Sequence, residues 1–168
     1  MTLLPSALAM VAAALLVTAA AYDLVSRTIP NWIALAVAAD GIVLRVLTTS
    51  ARGAVLVATL VFVATFALWL RGFIGGGDAK LIPAVVLLVP PHLAPLLLGA
   101  ISIIGGVLAL IYLALSTVLR SPKPGRRHGL AARLLKAEAW RISHRAGLPY
   151  AAAIAGGAVP ILFIHLGG

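Results

Sequence analysis

The sequence predicts an all-α, polytopic membrane protein with six transmembrane helices and both termini on the outer, periplasmic side. Three observations lead there. Of 168 residues, 62% are hydrophobic and only 10% charged. The apolar residues fall into runs near the ~20 that a bilayer core requires. Lys and Arg cluster in a few short stretches between those runs, as topology signals do. A soluble domain of ordinary composition is excluded. The formal charge of +9 does not indicate nucleic acid, because the cations mark loops rather than a binding face. The chain has no cysteine, so disulfides and thiolate metal sites are excluded.

Four spans are read directly from the apolar runs, at residues 3–22, 32–49, 54–70 and 148–166. The first has no basic region ahead of it and runs straight into Asp23 and Arg27, so a retained helix is expected rather than a cleaved signal peptide. The hydrophobic stretch from Leu81 to Leu119 is too long for one crossing and is broken at Pro90-Pro91-His92. It divides into a short fourth span at 75–91 and a long fifth at 93–119. The fourth, at ~1.5 Å per residue, reaches roughly 25 Å, nearly a bilayer core. The whole chain forms one membrane-embedded domain, with a basic cytoplasmic loop at 120–147.

Orientation follows from the cations. With the amino terminus outside, every one of the 13 Lys and Arg residues except Arg45 and Arg52 falls on the inner side. The fourth crossing is needed for this result, since without it the cation-rich loop from Arg120 to Arg145 would lie outside.

The acids number four: Asp23, Asp40, Asp78 and Glu138. Asp23 closes the first span in D-L-V-S-R-T-I-P-N, and Asp78 follows three glycines at the start of the fourth in I-G-G-G-D-A-K. Both are assigned to the same, cytoplasmic boundary. Ionisable groups at such depth point to function. Two carboxyls brought within a few ångströms cannot both ionise easily. One then keeps a proton while the other acts as base toward a water, which is the requirement of an aspartic protease. Gly75 and Gly77 offer clearance for an extended substrate backbone, and Lys80 is a candidate substrate contact as well as an interface lysine whose stem lies in the apolar layer. Asp40, near the middle of the second span, is expected to pair with another polar group inside the bundle. Tyr22, Trp32 and Trp69 fall at span ends, where aromatic belts form.

The residues G-G-G-D-A-K-L, the upstream D-x-x-x-R-x-I-P-N and the late L-P-Y-A-A-A-I-A-G-G together resemble the type IV prepilin peptidase family, the GxGD intramembrane aspartic proteases, and most closely its short form that accompanies tight-adherence (Flp) pili. The resemblance extends from the first span to the last. It implies that Asp23 and Asp78 are the catalytic pair and that Gly75 and Gly77 are the glycines of GxGD. Ile29-Pro30-Asn31 and Pro149-Tyr150 match recurrent family positions. It further implies a hydrolase of the bacterial inner membrane that removes the basic leader from prepilins and pseudopilins at the cytoplasmic face, as a step in pilus assembly or protein secretion, with no metal or other cofactor. Longer, bifunctional members carry a cytoplasmic domain with paired CxxC zinc ligands and methylate the new amino terminus. Without cysteine, the expectation here is peptidase chemistry with no zinc site.

Other chemistries lack their residues. There is no HExxH and no GxSxG, and His92 and His165 are placed outside while His128 and His144 lie in the basic loop. The alternative reading is a small ion- or proton-transport subunit, or a non-catalytic pilus-assembly subunit, using its membrane acids as an ion site. In the loop, S-P-K-P-G-R-R-H-G reads as a turn-rich linker, and the segment 130–145 as an interfacial helix with Leu134, Leu135 and Ile142 on one side, Glu138 among its cations, and anionic lipid headgroups as partners.

Overall fold

The computed structural model describes residues 3–48, 51–118 and 148–167. The basic loop and its expected interfacial helix lie outside the described residues. Six α-helices are described: α1 (Leu3–Ser26), α2 (Asn31–Thr48), α3 (Ala51–Leu70), α4 (Gly76–Val86), α5 (Ala94–Val118) and α6 (Tyr150–Gly167), with a 3₁₀ turn over Pro91–Leu93 between α4 and α5. Among the described residues there is no strand, so the all-α prediction holds. Four stretches are long and apolar enough to cross a membrane, namely α1, α2, α3 and Pro91–Thr117.

Two compact units divide the chain within α5. One comprises Met1–Ile104 with Pro149–Gly168, and the other Gly105–Leu148. All that follows concerns the first. There α1 packs on α2 and α6, while α4 packs on α2, α3 and α6. Tyr22, Trp32 and Trp69 are exposed, as residues of an aromatic belt should be.

The fourth segment differs from the range read in the sequence. Its α-helix covers 11 residues rather than all of 75–91, or about 16 Å of rise. The cause is local. Leu88 and Val89 donate to the carbonyls of Val85 and Val86, an i→i−3 pattern that tightens the last turn, and the residue before a proline is pushed out of the helical region, here Val89 before Pro90. Such a short helix is unsuited to lipid on all sides. Accordingly, every residue from Leu81 to Pro90 is buried.

Burial obliges each backbone group of α4 to find a partner, since no water is at hand. Pro83 has no N–H, so the Ala79 carbonyl four residues earlier loses its helical donor. The buried Thr65 of α3 offers one, its Oγ1 lying 3.0 Å from that carbonyl and 2.9 and 3.1 Å from the Val61 and Phe62 carbonyls of its own helix, so its one proton is shared among the three. At the other end, the fully buried Arg45 of α2 donates from Nη2 to the Leu88 carbonyl at 3.2 Å, setting a cation at the carbonyl end of α4. Arg45, counted from sequence among the few outer-side cations, is a partner for backbone inside the bundle. Gly41 permits this approach, because a Cβ there would meet Leu87 Cβ at 2.7 Å and Leu87 C at 2.9 Å.

The Thr65 bond yields the first prediction. Thr65→Val keeps the shape but leaves the Ala79 carbonyl unpaired. It is expected to destabilise the protein by about 1–2 kcal/mol, whereas Thr65→Ser keeps most of the stability. Thermal unfolding in detergent micelles measures both, and equal midpoints for Thr65→Val and wild type would remove the proposed role of this hydroxyl.

Candidate active site

Three helix ends converge at one end of the first unit: the last turn of α1, the first turn of α4 and the first turn of α6. The last turn of α1 carries Asp23, which is only 7% exposed. Its Oδ2 accepts the N–H of Ala151 at 3.0 Å. Ala151 is the second residue of α6, so its amide is one of the donors that a helix leaves unsatisfied at its start. Asp23 therefore acts as a cap delivered from another helix. The positive end of the α6 dipole favours a carboxylate at that position.

The first turn of α4 carries Asp78, which is half-buried. Gly75 is the residue ahead of the helix and has extended backbone angles (φ −69°, ψ 148°). Asp78, three residues later, lies against Gly75, its Oδ2 3.0 Å from where a Cβ on that glycine would stand, at the N3 position from which a carboxylate reaches back in a capping box. The local rule thus explains the spacing of glycine and aspartate: the aspartate is the N3 acceptor of its own helix.

The two acids lie at the same end of the unit. The charge of Asp23 bears on Asp78, and that of Asp78 on Tyr150. Tyr150 and Ala151 belong to the L-P-Y-A-A-A stretch, whose place in the site no spacing could reveal. Their partners are a residue at position 78 and one at position 23.

Each glycine of the run has its own neighbour. A Cβ on Gly75 would lie 3.0 Å from Asp78 Oδ2, one on Gly76 would lie 3.1 Å from Trp69 Nε1, and one on Gly77 would lie 3.1 Å from Ile29 Cδ1 and Cγ1. Gly77 is thereby packed on the Ile29-Pro30-Asn31 turn, which gives that motif a structural role: it holds the start of α4 against the link between α1 and α2. Lys80 adds a second tie, donating from Nζ to Asn31 Oδ1 at 2.9 Å. Its side chain stands ~200° around α4 from Asp78, away from the acids.

Asp40 lies outside this constellation. It is buried in α2, its Oδ2 has no hydrogen-bond partner among the described residues, and it forms no ion pair with Arg45, whose Nε and Nη1 are likewise unpartnered. The pairing expected for Asp40 is not found there. Five residues on a helix place two side chains ~140° apart, and Arg45 is turned toward Leu88.

Asp23 has a capping role that its removal should expose. Asp23→Ala leaves the Ala151 amide without its acceptor and is expected to cost about 1–2 kcal/mol. Asp23→Asn retains an acceptor oxygen and should lose less. Melting midpoints in detergent should fall in the order wild type, Asp23→Asn, Asp23→Ala, and equal midpoints for all three would contradict the cap.

The sequence model of the type IV leader peptidase family matches residues 10–110, a stretch that includes Asp23, the glycine run and Asp78. No curated protein and no solved structure matches the chain. The match takes in more than half of the 168 residues, and the chain belongs to the type IV leader peptidase family.

Proposed function

We propose that this protein is an aspartic endopeptidase that removes the basic leader from prepilins or pseudopilins at the cytoplasmic face of the bacterial inner membrane, with Asp23 and Asp78 as its catalytic pair. The observation that carries the proposal is that two carboxylates 55 positions apart in sequence (78 − 23) lie at the same end of the first unit, Asp23 bonded to the start of α6 and Asp78 in the first turn of α4, which packs on α6. The cytoplasmic assignment rests on the Lys and Arg bias, which places this end of the bundle inside.

The mechanism follows from the pair. Asp23 and Asp78 share one proton, because two adjacent carboxyls resist double ionisation. The ionised member takes a proton from a water lying between them as that water's oxygen attacks the scissile carbonyl carbon. The protonated member donates to the carbonyl oxygen, giving a neutral tetrahedral intermediate. Collapse re-forms the C=O bond and breaks the C–N bond. The carboxyl that gained the water's proton gives it to the departing amine, while the other, now ionised, takes a proton back from a hydroxyl of the collapsing intermediate, so the pair ends with the single proton it began with. The Ala151 N–H fixes the orientation of the Asp23 carboxylate throughout, so little reorganisation is needed there as charge moves.

The amide to be cut must be exposed, so the substrate is extended rather than helical where it meets the pair. Gly75 is solvent-accessible and adjoins the Asp78 carboxylate. A residue without a side chain there leaves the approach to that carboxylate open, and Gly77, seated on Ile29, keeps the turn in place.

The test is leader removal from a co-expressed prepilin, read as a gel shift. Asp23→Asn and Asp78→Asn should each abolish processing at equal membrane levels, while Asp40→Ala should retain it. Processing by Asp78→Asn at the wild-type rate would end the aspartic mechanism. Gly75→Val, which crowds Asp78 Oδ2, should slow processing by at least about tenfold, the effect of misplacing a reacting group by a fraction of an ångström, and an unchanged rate would show that this approach is not used.

A further inference from the structure

A groove separate from the acid pair runs along the opposite side of α4. It is a cavity of about 500 Å³ between α2 and α3, with α4 as its floor. Small or buried residues form the floor, among them Ala34, Ala58, Pro83 and Ala84, and exposed apolar residues such as Leu35 and Phe62 form its rims. Polarity is confined almost entirely to one end, where Asn31 and Lys80 stand together. The lining of α2 extends from Asn31 to Ile42, about 16 Å of helix. That is close to half of the ~30 Å hydrocarbon thickness of a bilayer, or one leaflet.

Charge and length together identify the occupant. An ammonium carries three donors, and Asn31 Oδ1 takes one of those on the exposed Lys80, leaving two for another acceptor. Lys80 makes no ion pair among the described residues. An apolar channel one leaflet deep with a lysine at its head matches a lipid chain below an anionic headgroup. A peptide helix fits less well, because the groove faces away from Asp78 and its cation would repel the basic leader.

We propose that this groove is a binding site for one anionic phospholipid of the leaflet at the Asp78 end, with an acyl chain lying along Ala38, Ala58 and Ala84 and the phosphate on Lys80. Such a lipid fills the gap between α2 and α3, and so supports α4 from the side opposite the acids. The site is distinct from the peptidase reading, and its test does not use cleavage.

Native mass spectrometry of the purified protein, titrated with dioleoylphosphatidylglycerol or dioleoylphosphatidylcholine, counts the lipids retained. The wild type should hold one phosphatidylglycerol in preference to phosphatidylcholine. Lys80→Gln should weaken it about fivefold and remove that preference, as the loss of one lysine–headgroup contact implies. Thr59→Phe, a change at an exposed rim position, should displace the chain and abolish tight retention of either lipid. Leu35→Trp on the other rim provides a second filling variant should Thr59→Phe fail to fold. Lipid held elsewhere by general attraction to cations would survive all three changes, so equal retention by wild type and variants would overturn the proposal. Competitive displacement of the lipid by a twenty-residue Leu/Ala helical peptide would overturn it as well, by showing that the groove accepts protein.

Discussion

The need to satisfy every backbone group of a buried short helix governs this protein. Helix α4 is too short to stand alone in lipid and is interrupted by Pro83, so its neighbours must complete it. Thr65 meets the Ala79 carbonyl, Arg45 meets the Leu88 carbonyl, and the helix's own Asp78 lies against Gly75. These three contacts hold the helix at its start, near its middle and at its end. Because α4 contacts α2, α3 and α6, its position is the reference for the rest of the first unit.

From that constraint the site follows. An acceptor at the third position of α4 satisfies the helix start, and an aspartate in that place is also a carboxylate held at the bundle's end. Asp23 does the same for α6 through Ala151. Both acids thus sit at helix N-termini, and that placement brings them to one end of the unit. On the proposed mechanism, catalytic and structural roles coincide in the same side chains. Membership of the type IV leader peptidase family is consistent with a site assembled in this way.

Much of this is legible in the residues, and the limits have physical causes. Apolar run length located the helices, because the period and extent of hydrophobicity are local properties. The shared level of Asp23 and Asp78 could be inferred from cation bias. The contact of Asp23 with Ala151, by contrast, joins positions 128 apart, and L-P-Y-A-A-A carries no local mark of it. Pro83 does announce an orphaned carbonyl at Ala79, yet nothing near it in sequence names Thr65 as the donor. Arg45 is legible as an outer-side cation of the second span, yet nothing near it in sequence names the Leu88 carbonyl as its acceptor. The polar partner expected for Asp40 is likewise not found among the described residues at its Oδ2.

The central claim is that Asp23 and Asp78 face each other across the junction of α1, α4 and α6. The chain has no cysteine, so it offers a clean background for cross-linking in intact membranes. Asp23→Cys paired with Asp78→Cys should be joined by a bismaleimide short enough to bridge only neighbouring side chains. Asp23→Cys paired with Lys80→Cys, which stands on the other side of α4, should not. Efficient linkage of the second pair and none of the first, in folded protein, would contradict the account.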